Sequence, residues 1–195
     1  MKLRLRIFLS FVFVIWFCLS VNGQDTIRTD IYEIVYSQLL EQPLRIKYQV
    51  LCPFGKEERA GMNFWKPENI YTSDNNDYKD NIWDKGHMVP ASSFSCNEDT
   101  LYQTFNYLNS ALQHQSLNRG VWARLEQFEK DLAKFYTVNV VIEVLFGDLQ
   151  NCLPTGAVVP TGFNKTIWFD DKKIAFYFPN EDTTGKDWSD FIINQ

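Results

Sequence analysis

"LNRGVWARLEQFEKDLAKFYTVNVVIEVLFGD", Leu117 to Asp148, sets a helical pattern directly against a strand pattern. Val121, Leu125, Phe128, Leu132 and Phe135 step by four, three, four and three residues, which lays one apolar stripe along a helix of about five turns. Gly120 is tolerated because it sits near the start. From Thr137 the run turns rich in Val and Ile, the composition of a buried strand, and Gly147-Asp148 closes it. Further on, "TIWF" (166–169) and "KIAFYF" (173–178) are separated by Asp170 to Lys173 and look like a hairpin. Upstream, "DIYEIVYS" (30–37) reads as a strand, and "LRIKYQVL" (44–51) alternates Leu44, Ile46, Tyr48 and Val50 with polar residues, with Gln42-Pro43 marking the turn between them. Helices and strands are segregated along the chain, so the expected class is α+β.

The chain opens with Lys2, Arg4 and Arg6, an apolar run from Ile7 to Leu19, and small residues ending at Gly23. This pattern is that of a secretory signal peptide over residues 1–23, since the apolar run is shorter than the roughly 18 to 20 residues of a spanning helix. The expected product is exported, to an extracellular or periplasmic space, with no membrane attachment once the leader is removed. Residues 24–195 then form a single domain, long enough for one core. Three of the 19 Lys and Arg residues leave with the leader, so 16 basic residues face 24 acidic ones, a formal charge of −8. That argues against a protein that coats nucleic acid by bulk electrostatics, but not against an enzyme that grips a few phosphates locally. Cys52, Cys96 and Cys152 remain. An odd count permits one pair at most, and the sequence does not choose among the three pairings. With two histidines and no closely spaced cysteines, a His/Cys zinc site is not expected.

Between Cys52 and Trp83 the chain is irregular. Its tract "TSDNNDYKDN" (72–81) fails the calcium-loop spacing, because counting from Asp74 puts Tyr78 at position five and Lys79 at position six. A solvated surface loop is the better reading.

Two clusters could carry chemistry. In "WDKGHMVPASSF" (83–94), Gly86 breaks a helical reading of Asp84 to His87, and Pro90 follows, so His87 belongs at a turn or strand end. A near-neutral imidazole can take a proton from water, and a carboxylate or carbonyl on its other nitrogen would fix the tautomer. Alone, such a tetrapeptide is more often a structural turn. The second cluster supplies Asn109, Gln113, Asn118 and Glu126, hard oxygen donors that suit magnesium. Eight residues of ideal helix place Glu126 roughly 80° around and ~12 Å along from Asn118. Both could face one cleft, with one binding an ion and the other reaching its waters. The plainer alternative makes Asn118 an N-cap and pairs Glu126 with Lys130.

Together the clusters resemble the DNA/RNA non-specific endonucleases, the ββα-metal sugar-non-specific nucleases. The family's Asp-Arg-Gly-His followed by Pro is similar to "DKGHMVP", and its spaced block of Asn, Gln, Asn, Trp and Glu is matched by Asn109, Gln113, Asn118, Trp122 and Glu126. "VVPTGFNKTIWF" (158–169) is similar to the family's late "VPTHFFK" segment. Lys85 departs from the hallmark Arg and gives up two-pronged phosphate recognition, and Leu112 stands where the family usually has Pro.

The resemblance implies a ββα-metal core with an antiparallel sheet flanked by helices, and hydrolysis of DNA and RNA. By it His87 is the general base, Asn118 the direct ligand of a hydrated Mg²⁺ (with Mn²⁺ as substitute), and Glu126 the holder of the ion's waters. Lys85 would neutralise a phosphate oxygen, Asn109 and Gln113 would support the shell, Lys130 would be a further phosphate contact, and Asp84 would shape the turn. A secreted binding module on a decayed nuclease fold is the competing class, using the 16% aromatic content for contact.

Overall fold

The computed structural model describes residues 24–147 and 151–193. Residues 1–23, expected to be a leader, and Asp148 lie outside the described residues. Six antiparallel strands form the main sheet in the order β1-β2-β3-β6-β7-β8. They are β1 (Gln24–Arg28), β2 (Tyr32–Ser37), β3 (Gln42–Gln49), β6 (Val138–Leu145), β7 (Gly162–Phe169) and β8 (Lys172–Pro179). The α+β expectation with an antiparallel sheet is met. Alternation does the sorting: Val138, Val140, Ile142 and Val144 of β6 all point into the core, while Asn139 and Glu143 point out.

Several local readings change. Gln42 and Pro43 begin β3 rather than form the turn, which is made by Gln38 to Glu41, where Glu41 has φ 55°. The β7–β8 turn is shorter than expected, since Phe169 pairs with Lys172 and only Asp170 and Asp171 lie between them. Asp170, at φ 52°, takes the left-handed conformation such a tight turn demands. β1 and the short helix α1 (Glu98–Thr104) carry no sequence pattern strong enough to have been anticipated. The tract from Thr72 is not simply solvated: Thr72, Ser73 and Asp77 are buried, and Asn75–Tyr78 form a 3₁₀ turn closed by a capping box between Asp74 and Asp77.

The five-turn helix does not exist as one element. After a single turn, α2 (Gln115–Leu117), residues Asn118–Trp122 form a π-helical turn in which Gly120 has φ −103° and ψ −107°. Regular helix runs only over α3 (Ala123–Leu132). Gly120 is therefore a break, the role a residue without Cβ can fill. The apolar stripe ends at Leu132, and Phe135 beyond it is 81% exposed.

A separate two-stranded ladder, β4 (Trp83–His87) with β5 (Ser110–His114), sits beside the main sheet. Side chains clamp it there. Gln42 Oε1 accepts from the Leu112 N–H at 3.0 Å, and Asn180 donates to the Leu112 carbonyl and accepts from the His114 N–H at 2.9 and 2.8 Å. These bonds satisfy backbone groups that a two-stranded ladder leaves over. Cys52 pairs with Cys96, and Cys152 is free and exposed. Among the described residues, no helix is long and apolar enough to cross a membrane.

Candidate active site

β4, β5 and the π turn leading into α3 build the site. Gly86 faces Ala111 across the ladder, and a Cβ there would sit 2.6 Å from Cβ of Gln113. Only glycine lets Gln113 fold across the strand between Lys85 and His87. Just past His87, Asn109 is fully buried. Its amide donates to the carbonyls of Val89 and Thr104 at 2.9 Å each, and its Oδ1 accepts from the Val89 N–H at 2.7 Å. Asn109 thus braces the strand end that carries the histidine. Neither Asn109 nor Gln113 lines the cleft, so neither supplies a ligand oxygen to it. Gln113 is buried, with no hydrogen-bond partner on either amide atom among the described residues.

His87, Lys85, Asn118 and Glu126 do meet. They line one cavity of about 620 Å³, with Arg59 and Phe64 in the same wall. The His87 ring lies against Phe64 and Phe105, centroids 4.8 and 5.0 Å away. Burial lowers its pKa to about 3, and the charge of Arg59 adds to the effect. The ring is therefore neutral at physiological pH, as a proton acceptor must be. The partner expected on its second nitrogen is not there: Nε2 is buried and unbonded among the described residues. Aromatic contacts hold the ring instead.

Asp84 is not in a turn. It lies inside β4 and reaches across to the π turn, accepting from Asn118 Nδ2 at 2.9 Å and from Arg119 at 2.7 and 2.6 Å. Burial pushes its carboxyl up, but the bonds from Arg119 and Asn118 outweigh that and hold it below the usual carboxylate range. Because Nδ2 is committed to Asp84, the amide oxygen is the Asn118 atom left without a bond among the described residues. Asn118 is thus no N-cap. The ideal-helix projection from Asn118 to Glu126 also fails, because the break at Gly120 lies between them.

Burial raises Glu126 to about 7, against the opposing charge of Lys165 and with help from Glu129. Lys165 and Glu129 form a fully buried ion pair at 2.6 Å, and Tyr48 donates to Glu129 at 2.7 Å. Lys130 does not pair with Glu126. Its Nζ donates to the Gly55 carbonyl at 3.2 Å, and it lines the neighbouring cavity that shares Arg59, Ala91 and Ser92 with the first. The second histidine, His114, caps α2 through Ser116 and takes no part.

A divalent ion fits this donor set. The structure offers one free amide oxygen and one carboxylate on the same cavity, and no group of three His, Cys, Asp or Glu occurs among the described residues. An ion held by so few protein atoms keeps most of its water, which is how magnesium prefers to bind.

The sequence profile of the DNA/RNA non-specific endonucleases matches residues 18–194. The chain belongs to this family. Among its relatives, mitochondrial nuclease EXOG of Danio rerio is 37% identical over 73 residues, 37% of this chain and 21% of that protein. The Serratia marcescens nuclease is 30% identical over 122 residues, 56% of this chain and 45% of that one. Nuclease C1 of Cunninghamella echinulata var. echinulata is 34% identical over 122 residues, 54% and 48%. The matches thus span less than half the length of these relatives. The fold is also that of the protein in the crystal structure of the EndoG/EndoGI complex, with TM-score 0.78, 22% identity, and 87% of this chain and 80% of that chain covered.

Four contributors to the site escaped the sequence reading. Arg119 follows Asn118 directly, and its pairing with Asp84 could have been found by asking which cation meets the acid of "DKGH". Lys165 stands inside the "VPTGFNK" similarity but reads as a solvated strand lysine. Arg59 and Phe64 lie in irregular chain, where no periodicity marks them.

Proposed function

We propose that this endonuclease-family chain hydrolyses phosphodiester bonds of DNA and RNA with a hydrated Mg²⁺, Mn²⁺ substituting, and that it works after export as a single domain freed of residues 1–23. The observation that carries this reading is the convergence of a neutral histidine, a lysine, a free amide oxygen and a carboxylate on one cavity. His87 accepts the proton of the attacking water. With Nε2 buried, Nδ1 is the nitrogen that takes it. Asn118 would hold the ion through its free oxygen, with Asp84 fixing the amide, and Glu126 would hold the ion's waters. When bound, the ion supplies positive charge where negative charge builds on the phosphoryl group. Lys85 neutralises a phosphate oxygen.

These groups meet backbone phosphate rather than base edges, which is why both nucleic acids are accommodated. Plasmid incubated with the protein and Mg²⁺ should be degraded, and EDTA or His87→Ala should stop it. Undegraded plasmid would instead favour a binding module on the same fold, and undiminished cleavage by His87→Ala would remove the base assignment.

A further inference from the structure

The structure shows what stands in for the family arginine at Lys85. A guanidinium is a rigid fork, whereas a lysine ammonium is a point charge on a flexible stem. Here the stem is not left free. Lys85 Nζ donates to Asn75 Oδ1 at 2.5 Å, and Tyr107 donates its hydroxyl to the same oxygen at 2.8 Å. The ammonium lies 5.5 Å from the Phe64 ring centroid, 5.7 Å from that of Tyr78 and 5.5 Å from that of Tyr107, within the range of cation–π attraction. Asn75 is itself fixed, because it opens the 3₁₀ turn capped by Asp74, and Asp74 is held by Lys66 at 2.9 Å. The polar tract beginning at Thr72 thus delivers one amide to the Lys85 ammonium. Among the described residues one of three ammonium donors is used, which leaves two for a phosphate.

We propose that Asn75 is a positioning residue: with the Phe64, Tyr78 and Tyr107 rings it aims the Lys85 ammonium at substrate phosphate, restoring the directionality that arginine would have had. This rests on the nuclease reading above. It predicts that Asn75 acts only through Lys85.

The test is a double-mutant cycle on the full protein, read as kcat/KM on a DNA duplex with Mg²⁺ and as duplex binding in EDTA. Asn75→Ala should lower kcat/KM about tenfold, the effect of losing one charge-assisted bond. It should cost almost nothing in a Lys85→Ala background, and little in Lys85→Arg, where the fork orients itself. Lys85→Ala should flatten the salt dependence of binding by about one phosphate contact, while Asn75→Ala, which keeps the charge, leaves the slope alone. An equal loss from Asn75→Ala with and without Lys85 overturns the proposal. Should Asn75→Ala lower the thermal midpoint, Tyr107→Phe carries the test, with the same dependence on Lys85 at a smaller size. A wild-type protein that binds duplex without cleaving refutes the hydrolytic reading while the binding cycle still decides this one. Wild-type protein that does neither overturns both.

Discussion

Replacing Lys165 by methionine tests the least visible part of the architecture. Lys165 and Glu129 are each fully buried, 2.6 Å apart, with the ammonium 4.3 Å from the Trp122 ring. Trp122, the cap residue that hands the π turn to α3, stands four and seven residues before Glu126 and Glu129, so the lysine touches both ends of a face that has Glu126 at its middle. Breaking a buried pair strands the surviving charge and costs about 3–5 kcal/mol. For a domain of this size each kcal/mol lowers the midpoint by about 2–4 °C, so Lys165→Met should lose roughly 6–20 °C. Lys165→Met with Glu129→Gln removes both charges and keeps an acceptor for the Tyr48 hydroxyl. It should recover at least ~2 kcal/mol of the loss, because the coupled term is then absent. Guanidinium unfolding supplies the numbers, provided the slope is unchanged between variants. A double variant as unstable as the two single changes added together would show that the pair is not coupled, and the reasoning fails.

Three further outcomes follow from the site. Glu126, raised to about 7 from 4.5, takes up a proton on folding between those pH values, so its charged form destabilises the metal-free protein above 7. Glu126→Gln should therefore stabilise the protein in EDTA at pH 8 by up to about 3 kcal/mol, an advantage that shrinks as pH falls through 7 and is gone below 4.5; urea midpoints at the two ends check it, and a gain that is the same at both ends would contradict it. Asp84→Asn should weaken magnesium response by about 10–100-fold, since Asp84 commits Asn118 Nδ2 and so frees its oxygen, and calorimetric titration with Mg²⁺ reads it without turnover. Gly86→Ala should cost about 1–3 kcal/mol by driving a methyl into Gln113, with partial recovery on adding Gln113→Ala, and an unchanged melting curve would sink this account of the ladder.

The sheet was legible because its strands carry alternation strong enough to survive without partners in view, as β3 and β6 do. The helix was legible as an apolar stripe but not as a backbone. Gly120 looked tolerable near the helix start, and nothing in the stripe shows that it sits inside a π-helical turn with non-helical φ and ψ. His87, Lys85, Asn118 and Glu126 could be named from the family resemblance, yet Asn109 and Gln113 belong to the same motif for a different reason, one bracing a strand end and the other packing on a glycine. Partners of sequence-distant residues were not legible at all. Asn75 to Lys85, Arg119 to Asp84 and Lys165 to Glu129 are made by tertiary placement, and an exposed-looking asparagine or lysine gives no local sign of it.

The Cys52–Cys96 bridge joins cysteines 44 positions apart, and between them lie Arg59, Phe64, Lys85, His87 and Ser92 of the cleft lining. Asn118 and Glu126 of the same lining lie outside that stretch. The cleft is thus made of a tied purse and a fixed frame, and the knot is a bond that forms only where thiols are oxidised. In a reducing medium that bond does not form, and the stretch of chain bearing His87 and Lys85 loses its covalent tether.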